Sequence, residues 1–177
     1  MGKKSYRSKA VLKLVEGLGP GGSGITLNQQ LHWVERKIIG PSVKDADGHA
    51  SYREYSLEDI LRMVMVSRFL SIGMTLKEVG VLMNKGLSSV TTISDENPCS
   101  LWDVLANKAI REKYRYFFQV EYLDNNSIKT RSGFCGGLHE IFGLMTRRGC
   151  PVYLTQVKMV DIVGILEMLE AKTGDTL

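Results

Sequence analysis

The sequence lacks the features that mark several specialised classes of protein. Its three cysteines, Cys99, Cys135 and Cys150, are an odd set without a CxxC pair, which argues against a disulfide framework and a zinc site of closely spaced thiolates. No apolar run approaches the roughly 18 residues that span a bilayer, and no apolar core of a secretory signal follows the basic start. We therefore expect a reducing, cytoplasmic location and no membrane partner.

The composition is that of a folded globular protein. Of 177 residues, 44% are hydrophobic and 24% charged, close to the globular average. The net charge of +4 lies entirely in the first 95 residues, which hold 13 basic and 9 acidic side chains, while the remainder holds ten of each. This excess indicates a polyanion as the partner of the first half.

A glycine-rich stretch separates two helices predicted near the start of the chain. The first runs from about Ser8 to Leu18, and the second runs from Thr26 to about Ile38. Between them, residues 17–24 contain two overlapping GxGxxG matches. Since a dinucleotide-binding loop needs a strand before its glycines and a helix precedes them here, we interpret this stretch as a turn.

Residues 43–55 are predicted to form a small hairpin, with a turn at Asp47 and a returning strand from Tyr52 to Tyr55. The acidic tip has too few oxygen ligands for a calcium loop. Two helices follow, and each begins at a hydroxyl residue three positions before a carboxylate: Ser56 before Asp59, and Thr75 before Glu78.

The second half is predicted to be a small α+β domain. We place the first domain at residues 1–85, a polar linker at 86–100 and the second domain at 101–177. Alternating apolar residues from Tyr116 to Tyr122 are typical of a strand, and the predicted order of elements is α, β, β, α, β, α. The third strand is expected from Cys150 to Val157, and the last helix from about Met159 to Leu169.

Three blocks of the first half resemble the MerR family of bacterial transcription regulators. Residues 52–60 resemble the wing and the start of the helix after it, residues 70–79 resemble the turn between the third and fourth helices, and residues 31–41 resemble the end of the recognition helix. The resemblance covers residues 25–84. It implies a winged helix-turn-helix, so the expected fold class is α+β, with this module followed by a small α+β domain.

The resemblance implies that the helix from Thr26 enters the DNA major groove and that the hairpin grips the backbone beside it. Glutamine side chains can bond to adenine, and His32 and Arg36 can contact guanine or phosphate. Trp33 can pack on sugar. Arg53 and Tyr55 match wing residues that hold phosphates. The predicted DNA-binding residues are Gln29, Gln30, His32, Trp33, Arg36, Arg53 and Tyr55. The alternative for Trp33 and Tyr55 is a role in the core, and for Arg36 an ion pair with a carboxylate.

Three features depart from the family pattern: the inserted glycines at 19–24, a longer hairpin tip, and His32 where arginine is usual, which predicts a weaker or pH-sensitive contact. The long coiled-coil helix through which the family dimerises is also missing, because no apolar heptad pattern persists between Gly86 and Tyr122. We still expect a homodimer, since palindromic half-sites require a two-fold axis.

The function expected from the sequence is a homodimeric, sequence-specific DNA-binding transcription regulator, associated with the nucleoid, whose second domain senses an effector or mediates oligomerisation. The alternative is an accessory or architectural DNA-binding protein of plasmid or phage type with little sequence selectivity. Double-stranded DNA is the expected partner, and RNA polymerase or a small effector is a further candidate.

We expect no enzymatic activity and no metal site, and the sequence identifies no cofactor. Cys135 and His139 could share a helical face as metal ligands or as a nucleophile and its base. A buried small side chain and a surface histidine are the favoured interpretation.

Overall fold

The computed structural model describes residues 4–44, 52–83, 105, 107–124, 127–146 and 153–176. The chain divides into two compact units: the first comprises Met1–Asn84 with Ile165–Leu177, and the second comprises Lys85–Gly164. The last residues therefore group with the N-terminal unit, whereas the sequence prediction assigned them to the second domain. The predicted linker, 86–100, lies outside the described residues.

The first unit is mostly helical, with two very short strands. Its elements before the division are β1 (Tyr6–Arg7), α1 (Ser8–Leu14), α2 (Leu27–Glu35), β2 (Glu54–Tyr55), α3 (Leu57–Ser71) and α4 (Leu76–Val81). Helix α1 ends four residues before the predicted Leu18. Of the predicted hairpin, residues 45–51 lie outside the described part of the chain, and one bridge between Lys44 and Glu54 records its pairing.

Helices α2, α3 and α4 each begin at a capping box, in which the N-cap side chain and the side chain three residues later accept from each other's backbone N–H groups. The pairs are Thr26 with Gln29, Ser56 with Asp59, and Thr75 with Glu78. The starts predicted from Ser56 and Thr75 are confirmed. Because a box satisfies two backbone donors left over at a helix start, local sequence fixes these positions.

The glycine-rich stretch is a turn between α1 and α2, as predicted. It contains a single 3-10 turn at Pro20–Gly22, and Gly21 has a φ of 62°, a left-handed conformation that favours glycine. Since α1 and not a strand precedes it, it does not meet the requirement of a dinucleotide-binding loop. The Arg68 side chain on α3 donates from Nε to the carbonyl oxygen of Leu18 at 2.8 Å and so fixes the turn against α3.

Helix α3 is the centre of the first unit. Ile60, Leu61, Met63, Val64 and Phe69, which are spread around the helix, are all fully buried. A helix that is apolar on most sides is surrounded by its neighbours, as expected for the core of a small helical unit.

The pairing of β1 with β2 was not predicted. The two strands are antiparallel, with Tyr6 opposite Tyr55 and Arg7 opposite Glu54. On its other side Glu54 exchanges two backbone hydrogen bonds with Lys44, at 2.9 and 3.2 Å. Strand β2 is therefore held from both sides, by the N-terminal strand and by the residue that leads into the predicted hairpin.

The second unit contains a three-stranded antiparallel sheet in the order β4-β3-β5. Its elements are α5 (Lys108–Arg111), a 3-10 turn (Glu112–Tyr114), β3 (Tyr116–Asp124), β4 (Ser127–Cys135), α6 (Leu138–Thr146) and β5 (Tyr153–Asp161). One face of β3 packs Phe118 and Val120 against Cys135 and Ile141. On the opposite face, Phe117 meets Phe134 edge to face with ring centroids 5.9 Å apart.

The order of elements in the second half is confirmed, and the boundary between the last strand and the last helix differs from the prediction. The final helix, α7, is Ile162–Thr173, so Met159 lies in β5, where it pairs with Phe118, and not in the predicted helix. The first helix with described bounds in this half is α5, and residues 101–104 and 106 before it are outside the described part. No described helix combines the length and the apolar content needed to cross a membrane.

The start of α7 is fixed by the last residue of β5. The Oδ1 atom of Asp161 accepts from the Gly164 backbone N–H at 2.7 Å, and its Oδ2 atom accepts from the Arg115 guanidinium at 3.1 and 3.0 Å. A Cβ atom at Gly164 would lie 2.6 Å from this Oδ2 atom, so a larger residue there would displace the Asp161 carboxylate from its cap position. The chain therefore changes from strand to helix at an aspartate cap.

Candidate nucleic-acid interface

Helix α2 divides its polar residues between two faces. Gln29, His32 and Arg36 are exposed, and their spacing of three and four places them on one side of the helix. Gln30 and Trp33, also three apart, face the core and are 0% and 3% exposed. One row of exposed side chains on α2 can therefore reach a partner, and it contains three of the seven predicted residues.

The predictions for Gln30, Trp33 and Tyr55 need correction, because the structure buries all three and none is placed to touch DNA in this conformation. Trp33 is part of the core, as in the alternative left open by the sequence. Tyr55 is 0% exposed because it alternates with Glu54 along β2 and faces the interior. Both amide atoms of Gln30 lack a hydrogen-bond partner among the described residues.

Gln29 has a structural role as well as an exposed position. Its Oε1 atom accepts from the Thr26 backbone N–H at 2.9 Å and from the Thr26 hydroxyl at 3.1 Å. The oxygen is thus committed to the cap, and the amide nitrogen is the group left to donate outward. Because Gln29 lies in the first turn, it is placed like the N-terminal residues with which recognition helices contact base edges.

Helix α2 ends in a Schellman motif that turns the chain towards the wing. Lys37 has a φ of 55°, its N–H bonds to the carbonyl oxygen of Val34 at 2.9 Å, and the N–H of Ile38 bonds to the carbonyl oxygen of Trp33 at 3.0 Å. Ile38 and Ile39 beyond it are buried. The end of the helix next to Arg36 is therefore held by backbone bonds and by core packing.

A basic cluster at the base of the wing was missed by the sequence reasoning. Arg7 and Lys44 both lie opposite Glu54 in the strand register, so their side chains share one face of the strand pair. The Arg7 guanidinium carbon lies 3.8 Å from the centroid of the Tyr52 ring, and Lys44 Nζ lies 4.8 Å from it. We call Arg7, Lys44 and Tyr52 the wing-base cluster.

The cations of the wing-base cluster are available to an anion. Among the residues that the structure describes, neither Arg7 nor Lys44 forms a salt bridge, and the nearby Glu54 carboxylate accepts instead from the Ser5 hydroxyl at 2.8 Å. Tyr52 is 41% exposed. Two cations stacked on one exposed ring suit a phosphate, which supplies the opposite charge and several acceptor oxygens.

Asp59, at the start of α3, joins the two chain segments that flank the predicted hairpin. This side chain is 3% exposed, and its Oδ2 atom accepts from the Ser42 N–H at 2.9 Å, the Ser42 hydroxyl at 2.6 Å and the Ser56 N–H at 2.9 Å. One carboxylate thus joins the chain entering the wing at Ser42 to the chain leaving it at Ser56. Arg53, the remaining predicted wing residue, is half-buried.

Cys135 and His139 do not form a reactive pair. Cys135 is 0% exposed in the core of the second unit, whereas His139 is 83% exposed and lies 3.9 Å from a carboxylate oxygen of Glu140. Burial and the nearby Glu140 charge raise the pKa of the Cys135 thiol to about 12, against the opposing effect of a hydrogen bond from Gly137. In the described residues no group of three or more potential metal ligands comes together.

This burial predicts a slow reaction of Cys135 with alkylating agents. A pKa near 12 instead of 9.0 leaves on the order of a thousandfold less thiolate at neutral pH, and the thiolate is the nucleophile. We expect iodoacetamide to label Cys135 at that much lower rate in the native chain and at a normal rate in urea, as measured by peptide mass spectrometry. Rapid native labelling would contradict the buried position.

The fold and the exposed groups define a class before any comparison: a winged helix-turn-helix with one polar row on α2 and a basic wing base. Residues 23–86 match the family described as MerR HTH family regulatory protein. The resemblance found in the sequence is thereby confirmed for this segment. The family match does not extend past Gly86, so the C-terminal part is unassigned by it.

Three relatives are similar to part of this chain, one from Mycobacterium bovis and two from strains of Mycobacterium tuberculosis. Each is named an uncharacterized HTH-type transcriptional regulator and is 32% identical over 80 residues. The alignment covers 41% of this chain and 36% of each relative. The similarity is therefore confined to little more than a third of the relatives' length.

Proposed function

We propose that the chain is a sequence-specific DNA-binding transcription regulator that acts as a homodimer. The observation that carries the proposal is the exposed row of Gln29, His32 and Arg36 on a capped helix, together with the wing-base cluster. The α2 row, Lys44 and Tyr52 lie in the segment 23–86 that matches a family of helix-turn-helix regulators, and Arg7 lies before that segment. Relatives named as transcriptional regulators support the same conclusion.

The two groups of residues have different tasks in this proposal. The α2 row reads base edges in the major groove, where an amide can bond to adenine and a guanidinium to guanine. The wing-base cluster holds the backbone, since cations that contact phosphates set position and affinity but carry no sequence information. Arg53 remains a proposed phosphate contact, whereas Gln30, Trp33 and Tyr55 support the interface from within.

A homodimer is part of the proposal because a module of this size reads only a few base pairs. Two copies related by a two-fold axis would read a pair of half-sites and multiply the selectivity. We assign oligomerisation or effector sensing to the second unit. RNA polymerase or a small effector is a further proposed partner, and the proposed location is the nucleoid in the cytoplasm.

Gln29→Glu tests the α2 face while keeping the helix start. Glutamate satisfies the same capping box, and its charge favours a helix N-terminus. The change nevertheless replaces the outward amide donor by a carboxylate that repels DNA. We expect affinity for a selected site to fall by about ten- to a hundredfold, measured by fluorescence anisotropy, with thermal stability unchanged.

The control is the reciprocal change in α4, Glu78→Gln, which also preserves a capping box. It should leave DNA affinity within about twofold of the wild type, because the residue lies outside the proposed interface. If Gln29→Glu binds as tightly as the wild type, the α2 row is not the interface. If the wild type binds every duplex equally, the alternative of an architectural protein replaces the regulator.

A further inference from the structure

The end of α7 is bound to the beginning of the chain. Helix α7 starts in the second unit, and from Ile165 it belongs to the first. The ammonium of Lys172, in its last turn, donates to the backbone carbonyl of Leu14 at 3.1 Å and to that of Glu16. These are carbonyls at the end of α1, where helical partners are missing and a cation is favourable.

The residues just after α7 form a second set of contacts with the N-terminal strand. The Tyr6 hydroxyl donates to Oδ2 of Asp175, while Lys4 Nζ lies 3.4 Å from Oδ1 of the same carboxylate and 3.1 Å from the carbonyl oxygen of Thr173. Gly174, with a φ of 69°, reverses the chain at the helix end and brings Asp175 to this position. The contacts join residues 169 and 171 positions apart.

The ionisation of these groups favours the docked arrangement at neutral pH. The hydrogen bond from Tyr6 lowers the pKa of Asp175, desolvation opposes it, and Lys4 adds to the lowering. Burial and the Asp175 carboxylate raise the pKa of Tyr6 despite the opposing effect of Lys4. Asp175 is therefore ionised and Tyr6 protonated over the neutral range, which is the combination that the hydrogen bond between them needs.

These contacts hold strand β1, which carries part of the proposed interface. Tyr6 pairs with Tyr55 of β2, and Arg7, the next residue, lies against the ring of Tyr52 in the wing-base cluster. A pair of two-residue strands is too short to be stable by itself. Strand β1 therefore depends on contacts outside the strand pair, and the contacts made by Tyr6 and Lys4 with the C-terminal segment are among them.

We propose that residues Lys172–Asp175 form a latch that holds β1 against β2 at the base of the wing. The affinity for DNA then depends on whether the end of α7 is docked against the N-terminal segment. The DNA-binding half of this inference rests on the proposed function. Because α7 is continuous from Ile162 to Thr173, it is also the covalent route by which a rearrangement of the second unit would reach the latch. Undocking would free Arg7 to leave the cluster and would weaken the contact with phosphate.

The test uses the full chain with Tyr6→Phe, Asp175→Asn and the double variant. Phenylalanine keeps the ring and the strand, and asparagine keeps the size of the side chain, so both remove little besides the charged hydrogen bond. Thr176→Ala is the control, because this exposed residue lies next to the latch and makes no hydrogen bond recorded in the described part of the chain. Thermal unfolding confirms that each variant is folded.

The first readout is amide hydrogen exchange without DNA, in peptides that contain β1 and β2. We expect exchange about tenfold faster in each single variant, unchanged exchange in α3, and no further increase in the double variant because the two changes break the same contact. If amide exchange in β1 and β2 of the Tyr6 and Asp175 variants equals that of the wild type and of Thr176→Ala, the proposed latch is wrong.

The second readout is DNA affinity by anisotropy, with an expected loss of about three- to tenfold in the same variants. Faster amide exchange in β1 and β2 with unchanged DNA affinity would overturn the claim that DNA affinity depends on docking of the C-terminal segment. If the wild type binds no DNA, the proposed function fails, while the exchange result still decides whether the C-terminal segment holds β1.

Discussion

Replacing both Arg7 and Lys44 with glutamine is expected to lower the affinity for every duplex by about a hundredfold at moderate salt. Each cation of the wing-base cluster is assigned to a phosphate, and the loss of one such contact removes both an attraction and the release of a bound counterion. The slope of log affinity against log salt should therefore become shallower by about two. Anisotropy titrations at several salt concentrations measure both quantities.

The matched control is Lys9→Gln with Lys13→Gln, which removes the same charge from exposed positions on α1. We expect the affinity for DNA to fall only a fewfold in this control, since distant charges attract DNA through a screened field. Losses of equal size in the two double variants would show that net charge, and not the wing-base cluster, supplies the affinity. A change in preference among sequences would contradict the assignment of the cluster to phosphate.

Asp59→Ala is expected to cost the first unit about 3 kcal/mol of unfolding free energy. The change removes three hydrogen bonds to a nearly buried carboxylate and leaves the N–H groups of Ser42 and Ser56 without that acceptor. Urea unfolding followed by Trp33 fluorescence in a Trp102→Phe background measures the effect in the first unit. The m-value should stay constant, since the surface exposed on unfolding is nearly the same.

Glu78→Ala is the matched control for Asp59, because it occupies the same position of an equivalent capping box on α4. The Glu78 side chain is exposed, so its loss should cost no more than about 1 kcal/mol. The difference between the two variants measures what Asp59 contributes beyond capping, by joining the two ends of the wing. Equal costs would contradict that role.

Helix starts and the α+β order could be predicted because their signals are local. A hydroxyl three residues before a carboxylate is sufficient to predict the starts of α3 and α4, and alternation from Tyr116 to Tyr122 is sufficient to predict β3. It was harder to predict which residues of α2 face the core. The pattern placed Gln30 with the exposed polar residues, but its spacing from Trp33 places it on the core side, where an amide is unusual.

The pairing of β1 and the docking of the C-terminal segment could not be predicted, because no local sequence pattern indicates either of them. Tyr6 and Arg7 form a strand only because Glu54 and Tyr55 are beside them, and Asp175 lies 169 positions from Tyr6. The change from β5 to α7 shows a related problem. Apolar residues from Met159 onward suit a strand or a helix, and pairing with β3 together with the Asp161 cap decides the boundary at Ile162.

These non-local contacts also bear on function. The sequence predicts an interface on a helix and a hairpin. We propose that Arg7 on β1, which lies over the Tyr52 ring, also belongs to it, and the C-terminal segment contacts the same strand through Asp175. The residues that would bind DNA and those that would control binding therefore meet around β1.

Sequence-specific binding by a homodimer is tested by selecting bound fragments from a random pool of duplexes with the full chain and sequencing them. We expect enrichment of a limited set of sites built as inverted repeats, with loss of enrichment in Gln29→Glu and uniform weakening in the Arg7 and Lys44 double variant. A pool that stays as random after selection as before, at salt concentrations where the chain is bound, would contradict sequence-specific binding.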